Sequence, residues 1–126
     1  MTLNRLTLLV HDVDQAAHFY QTAFGWTLVE DQQVTPTKRI VRVAPPNTTV
    51  SFNLATPKAG DDELVGRQSG QRVLGFIDTE NLDADLARFS AAGVTITDGP
   101  RTESFGRCVL VLDLAGNTWE FVERTH

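Results

Sequence analysis

One order of predicted elements occurs twice along the chain, and this internal repeat constrains the possible folds more than any other feature. The first copy covers about residues 1–55 and the second about residues 71–126. In each copy an apolar strand-like segment precedes a capped helix, and three further strand-like segments follow. A single copy would leave one face of its sheet uncovered, so we expect the two copies to form one domain.

Capping residues and glycines delimit one helix in each copy. Asp12 is a predicted N-cap with Gln15 three residues on, and Gly25 ends that helix. Asn81 and Gly93 have the same positions in the second copy. Apolar residues follow each cap at helical spacing: Val13, Ala16, Ala17, Tyr20 and Phe24 in the first copy, and Leu82, Leu86 and Phe89 in the second.

Segments rich in β-branched and aliphatic residues predict the strands. They cover residues 3–10, 26–30, 39–43 and 49–54 in the first copy, and 73–77, 94–97, 109–112 and 118–122 in the second. The segment from Thr56 to Gly70 contains Pro57, three glycines and an acidic run, and it has no sustained apolar period. We therefore predict an α+β chain of two βαβββ modules joined by a linker over about residues 56–70.

The chain closes with a predicted hairpin that places one carboxylate on a possible cavity face. The segment from Asp113 to Asn117 has the Asp, Gly and Asn residues of a tight turn. In the strand that follows, Trp119 and Phe121 share one face and Glu120 points to the other, because strand side chains alternate. The pattern leaves open whether Glu120 is a metal ligand, a general base or half of an ion pair.

Composition and charge exclude several classes of partner. The net charge is −5 and the Lys and Arg residues are scattered, with only Lys38 and Arg39 adjacent, which argues against binding to nucleic acid or to an anionic membrane. The single cysteine, Cys108, excludes an intramolecular disulfide. The N-terminus lacks the basic-then-apolar pattern of a signal peptide, and no apolar run approaches the roughly 20 residues that span a bilayer, so we expect a cytoplasmic protein.

Three groups of residues give the chain a family resemblance. They are the opening Leu-Leu-Val-His-Asp-Val-Asp with Phe19-Tyr20 and Phe24-Gly25-Trp26, the second-half Leu-Gly-Phe-Ile-Asp with Ala91-Ala92-Gly93-Val94, and the closing Asp-Leu-Ala-Gly-Asn-Thr-Trp-Glu. Together they resemble the vicinal oxygen chelate superfamily, which includes glyoxalase I, extradiol dioxygenases, fosfomycin resistance enzymes and bleomycin-binding proteins. The resemblance implies that the strands of the two modules curl into a cup-shaped mixed sheet with the helices outside.

The resemblance also implies where a metal would lie. The family's metalloenzymes hold a divalent metal with His or Glu on the first and fourth strands of each module, and these places correspond to Arg5, Asn53, Arg72 and Glu120 in this chain. Gln71 or Val73 are alternatives to Arg72. Only Glu120 keeps a ligand type, and an Arg guanidinium has no lone pair to donate, so we expect neither a metal nor another cofactor.

Two classes of function follow from this set of residues. The first is a metal-independent binding protein of the antibiotic-sequestering kind, in which Arg5, Asn53 and Arg72 contact an anionic or carbonyl-bearing small molecule. The second is a lyase-, isomerase- or dioxygenase-like enzyme in which Glu120 is a general base or a residual metal ligand, with Arg5 or Arg72 as its oxyanion partner. We further predict that Glu120 forms an ion pair with Arg5 or Arg72, because a buried carboxylate is usually paired.

Two further expectations come from the family. The segment before the closing hairpin lies over the mouth of the cup in relatives, so Phe105 and Arg107 are candidate lid residues, with Gly106 as a hinge. Family members often pair by two-fold symmetry, so we expect a homodimer. The sequence leaves open whether the cup forms within one chain or across the dimer.

Overall fold

Two four-stranded mixed sheets, each with one helix, follow one another in the order that the repeat predicts. The computed structural model describes residues 1–125, and His126, the last residue of the predicted second module, lies outside the described residues. The predicted fold class, α+β with two tandem βαβββ modules, is confirmed. Neither helix of the described chain is long and apolar enough to cross a bilayer.

The first module contains β1 (Arg5–Leu9), α1 (Val13–Thr22), β2 (Thr27–Thr35), β3 (Lys38–Ala44) and β4 (Ser51–Ala55). Its strands lie in the order β1-β4-β3-β2, with β1 parallel to β4 and the other pairs antiparallel. The Asp12 side chain accepts a hydrogen bond from Gln15 N at 2.8 Å, as the capping pattern predicts. Gly25 follows the helix with a φ of 71°, a left-handed conformation that costs glycine little.

The second module contains β5 (Gly75–Asp78), α2 (Leu82–Ala92), β6 (Ile96–Glu103), β7 (Gly106–Leu112) and β8 (Thr118–Arg124). The strand order is β5-β8-β7-β6, which repeats the topology of the first sheet. Asn81 caps α2 through a bond from Ala84 N at 3.0 Å, and Gly93 ends it in the left-handed conformation. A 3₁₀ turn over Asp62–Leu64 lies in the predicted linker.

Each sheet has a core face, which is packed against the helices, and an opposite open face. The core faces of both sheets contribute to one continuous cluster: Leu8, Val41, Val43 and Leu54 from the first sheet, and Val109, Val111, Trp119 and Phe121 from the second. Phe24, just after α1, joins the two halves, because its ring lies 5.8 Å from that of Phe89 and 5.2 Å from that of Phe121. The open faces therefore point away from a shared core.

A buried carboxylate connects the modules by hydrogen bonds. Asp113 is 5% exposed, and its Oδ2 accepts from Tyr20 Oη at 2.6 Å, from Trp119 Nε1 at 2.9 Å and from Asn117 Nδ2 at 3.0 Å. Its Oδ1 accepts from the backbone N–H groups of Gly116 and Asn117. Tyr20 belongs to α1 and the other donors to the β7–β8 hairpin, so one side chain ties the first helix to the last strand.

We expect Asp113→Asn to lower the free energy of unfolding by about 2 to 4 kcal/mol. In either orientation of the new amide, its NH2 group would replace a carboxylate oxygen and face N–H or O–H groups whose hydrogen bonds it cannot accept. Urea unfolding measures this loss. Asp12→Asn is the matched control, since Asn caps a helix as well as Asp does and should change the unfolding free energy by only a few tenths of a kcal/mol. Equal effects of the two substitutions would contradict the role assigned to Asp113.

The same network predicts how the protein behaves in alkali. Burial and the neighbouring Asp113 carboxylate raise the pKa of Tyr20 well above its ordinary value. The stability due to this group is therefore complete below about pH 10, where the unfolded phenol titrates, and is lost as the pH rises above that value. Tyr20 is the only tyrosine. Phenolate absorbance should thus appear only as the protein unfolds, and a Tyr20 that titrates near pH 10 in the folded state would contradict the buried bond.

Candidate functional site

Polar side chains lie on the open face of the first sheet, and they include two of the predicted site residues. Arg5 begins β1 and is exposed, and Asn53 lies in β4 opposite Thr7. Arg42 on β3 is paired in register with Asn53, and its guanidinium donates to Glu30 at 2.7 Å and to Ser51 Oγ at 2.7 Å. Among residues 1–125 no ion pair involves Arg5, so its guanidinium is available to a ligand.

Asn53 presents a polar atom without a protein partner. Its Oδ1 is buried and accepts no hydrogen bond from any residue that the structure describes. A buried acceptor left unsatisfied costs about 1 to 3 kcal/mol, and such groups are rare in native proteins. A donor from a bound molecule at this position would remove that cost.

The open face of the second sheet surrounds Glu120 with apolar side chains. Glu120 is half-buried in β8, with Phe76 of β5 and Leu110 of β7 as its register partners. Phe76 is 69% exposed, which is high for a phenylalanine. The predicted ion pair of Glu120 with Arg5 or Arg72 is wrong within the described chain, where no Lys or Arg nitrogen lies within 4.0 Å of its carboxylate. Arg5 and Glu120 belong to different sheets, and Arg72 lies in an exposed turn rather than on a strand, so the fold does not bring either guanidinium to the carboxylate.

The predicted strand position of Arg72 is also wrong. Arg72 lies in an exposed turn, before the start of β5 at Gly75. Val10 N donates to Ala55 O, and Thr79 N donates to Val122 O, so Val10 and Thr79 are equivalent in the two modules. Arg5 lies five residues before Val10, and Leu74 lies five residues before Thr79, so Leu74 corresponds to Arg5. The three predicted candidates for this place, Gln71, Arg72 and Val73, are therefore wrong. The prediction had assumed an extra residue before Asn81, and the structure contains none.

The donor set at the four equivalent places does not fit a divalent metal. Arg5, Asn53, Leu74 and Glu120 supply one carboxylate and one weak amide oxygen, whereas catalytic transition-metal sites generally use three protein ligands of His, Asp, Glu or Cys. Within residues 1–125 no group of three or more such side chains could hold a metal ion. The misfit follows from the identity of the side chains at these places.

The two candidate lid residues lie in different environments. Phe105 is 42% exposed in the turn between β6 and β7, and its carbonyl accepts from Thr125 N at 3.0 Å. Arg107 is on the core-face side of β7, where it pairs with Asp83 of α2 at 3.0 Å and with Glu123 at 3.4 Å. Arg107 therefore faces away from Glu120, which does not favour a lid role for this residue. A lid role for Phe105 remains a prediction.

A cleft of about 970 Å³ lies between the two modules, and we name it the inter-module cleft. Residues of β1 and β5 line its two sides, and aromatic side chains line its depth: Phe24, Trp26, Phe52, Trp119 and Phe121. Sequence periodicity assigns most of these rings to the core. No sequence signal distinguishes a ring that borders a cleft from one that is fully enclosed, because the cleft arises from the packing of one module on the other.

Comparisons with known proteins agree with this architecture. A family model described as the Glyoxalase/Bleomycin resistance protein/Dioxygenase superfamily matches residues 2–121. An uncharacterized protein of Shewanella frigidimarina (strain NCIMB 400) is 32% identical over 121 residues, which cover 94% of this chain and 90% of that protein.

Solved structures of similar proteins superpose over nearly the whole chain. TnmS3, an antibiotic binding protein from Streptomyces sp. CB03234, is 26% identical, with a TM-score of 0.78 over 99% of this chain and 97% of its own. UcmS2 is also 26% identical, with a TM-score of 0.81 over 98% of each chain.

The donor set predicts that the purified protein carries no stoichiometric transition metal at the four equivalent places. Elemental analysis after dialysis should give well under one metal per subunit, and Zn²⁺ or Ni²⁺ titration should release little heat. Glu120→Ala should leave both results unchanged. About one metal per subunit, lost on Glu120→Ala but retained in Glu123→Ala, would overturn the prediction.

Proposed function

The chain belongs to the glyoxalase/bleomycin resistance protein/dioxygenase superfamily, and we propose that it binds a small organic molecule against the open faces of its sheets without a metal. The observation that carries the proposal is the buried Oδ1 of Asn53, which has no partner within residues 1–125 and lies on the same face as Arg5. TnmS3, a similar protein, is an antibiotic binding protein, which supports a small organic ligand here. The fold alone would not indicate a ligand, since one fold supports many functions.

The unsatisfied groups define the chemistry of the ligand. Asn53 Oδ1 and the Glu120 carboxylate both accept hydrogen bonds, so the ligand supplies N–H or O–H donors at two places. Arg5 supplies a planar fork of donors, which suits a carbonyl or carboxylate. Phe76 and Leu110 beside Glu120 suit an apolar body. A compact molecule with amide or phenol groups on an apolar frame meets all three requirements.

Arg5 and Asn53 lie on the first sheet and Glu120 lies on the second, with no ion pair between the two groups within residues 1–125, so we take one chain to provide two half-sites. We therefore propose a homodimer in which the first open face of one subunit lies opposite the second open face of its partner. In an isologous pair each such contact occurs twice, giving two equivalent cups. Leu3 and Phe76 are 57% and 69% exposed, and burying them at the interface would favour association.

An enzymatic alternative rests on the position of Glu120. A half-buried carboxylate between Phe76 and Leu110, with no cation within ion-pair distance in residues 1–125, is a candidate general base for proton abstraction next to a carbonyl. Turnover of a bound ligand that is lost in Glu120→Gln, with binding retained, would favour this alternative over simple sequestration.

The binding proposal predicts opposite effects of Asn53→Leu on stability and on ligand binding. Removing the unsatisfied amide should leave the free protein equally stable or raise its unfolding free energy by up to about 2 kcal/mol. The same change should abolish the thermal shift caused by hits from a screen of neutral and anionic aromatic amides and phenols. A hit at 100 times its dissociation constant stabilises the wild-type protein by about 2.7 kcal/mol.

Gln71→Leu, in an exposed turn, is the matched control and should change neither quantity. Sedimentation of the wild-type protein should show a dimer, and Phe76→Asp should shift it toward the monomer and weaken the ligand shift. Asn53→Leu that destabilises the free protein while retaining every ligand shift would show that Asn53 is structural and the proposed cup is wrong.

A further inference from the structure

We propose that the inter-module cleft is a second binding site, distinct from the cup, which takes a planar aromatic organic cation. Core-face side chains of β1 and β5 line the cleft together with the open-face residues Thr7, Phe76 and Asp78, whereas Asn53 and Glu120 are not among its lining residues. The cleft and the cup therefore share Phe76 but differ in their polar groups, since neither Asn53 nor Glu120 lines the cleft. Its volume, about 970 Å³, is large enough for a drug-sized ligand.

Stacked rings provide a surface for a flat ligand. Tyr20 and Trp26 stack with centroids 4.9 Å apart and an interplanar angle of 16°, and Trp26 stacks on Phe52 at 5.3 Å and 19°. Burial decreases along this row from Tyr20, which is 1% exposed, to the half-buried Phe52. A planar ring in the cleft would extend the stack at its Phe52 end, a geometry that aromatic pairs favour.

The remaining aromatic wall is rigid. Trp119 meets Trp26 edge to face at 5.2 Å and Phe52 at 5.6 Å, and its Nε1–H is held by Asp113. Gly75 of β5 lies directly against this ring, where an added Cβ would overlap Trp119 Cζ3. The wall is therefore formed before a ligand arrives, and little side-chain entropy is lost on binding.

Charge at the cleft favours a cation. Asp78, Glu80 and Asp85 contribute carboxylates to the lining and Arg88 contributes a guanidinium. Asp78 is already paired with Arg124 at 3.1 Å. Arg88 pairs with Asp85 at 2.7 Å and donates to the carbonyls of Ala23 and Phe24, so its charge is already compensated. Glu80 makes no ion pair within the part of the chain that the structure describes. A cationic ring would gain attraction from this carboxylate and from the aromatic faces.

A strand from another protein is a poorer occupant of the cleft than a small molecule. The side-chain amide of Gln68 bonds the outer edge of β1, accepting from Leu9 N at 2.7 Å and donating to Thr7 O at 2.9 Å. These are backbone groups that an added strand would use. With these two groups already bonded, the cleft offers side-chain surfaces more readily than a template for strand pairing.

The test uses three ring systems of the same size that differ in charge: N-methylphenanthridinium, neutral phenanthridine and phenanthrene-9-carboxylate. Trp26 and Trp119 are the chain's only two tryptophans and both line the cleft, so quenching of intrinsic fluorescence reports entry directly. N-acetyltryptophanamide corrects for light absorbed by the probe. We expect the cation to bind between about threefold and thirtyfold more tightly than the neutral ring, and the anion to bind more weakly than both.

Substitutions locate the binding. Glu80→Gln should weaken binding of the cation severalfold and leave binding of phenanthridine unchanged. Glu63 is an exposed acid outside the cleft, so Glu63→Gln should change neither affinity. Ala84 and Thr48 are exposed residues on different parts of the lining. Ala84→Phe and Thr48→Phe should each weaken the binding of both probes by filling space in the cleft. Asn53→Leu should have no effect, which separates this site from the cup. Absence of quenching, equal affinity for the three probes, or probe binding that both filling variants retain would overturn the proposal.

Discussion

The buried carboxylate of Asp113 is the interaction on which the arrangement of the two modules depends. Removing a carboxylate from water costs several kcal/mol, and five donors offset that cost here. One donor, Tyr20 Oη, comes from α1, while Trp119 Nε1 comes from β8, so the bonds fix the first module against the last strand. With Trp119 held on the core face, strand alternation directs Glu120 to the open face. The positions of the cleft and of the second half-site both follow from this anchor.

Sequence patterns predicted the parts of the fold that local chemistry determines. The helix starts at Asp12 and Asn81 follow from side-chain caps a few residues away, and the order of strands follows from the repeat. Strand lengths were predicted less well: β2 and β6 extend through Thr35 and Glu103, beyond the apolar segments. These extensions are exposed hairpin arms held by backbone bonds, which require no apolar period.

The sequence predicted the candidate site only where the alternation of side chains along one strand determines which face of the sheet a residue occupies. Arg5 and Glu120 lie on open faces as alternation requires, but the pairing between them depends on how the modules are oriented, which no strand pattern encodes. Arg72 lies two residues before the true equivalent, because the prediction assumed extra chain before Asn81, and the hydrogen bond of Thr79 with Val122 identifies Leu74 instead. The inter-module cleft was missed for a related reason, since its rings have the same periodicity as enclosed ones.

The backbone register also explains how a metal-binding architecture can carry a different function without a different fold. Main-chain bonds between β1 and β4, and between β5 and β8, hold Arg5, Asn53, Leu74 and Glu120 at equivalent places whatever their side chains are. Replacing ligand residues there changes charge and hydrogen bonding but leaves the strands paired. In the function that we propose, a guanidinium and an amide on one face, with a carboxylate among apolar groups on the other, select organic molecules by shape and donor pattern rather than by chelation.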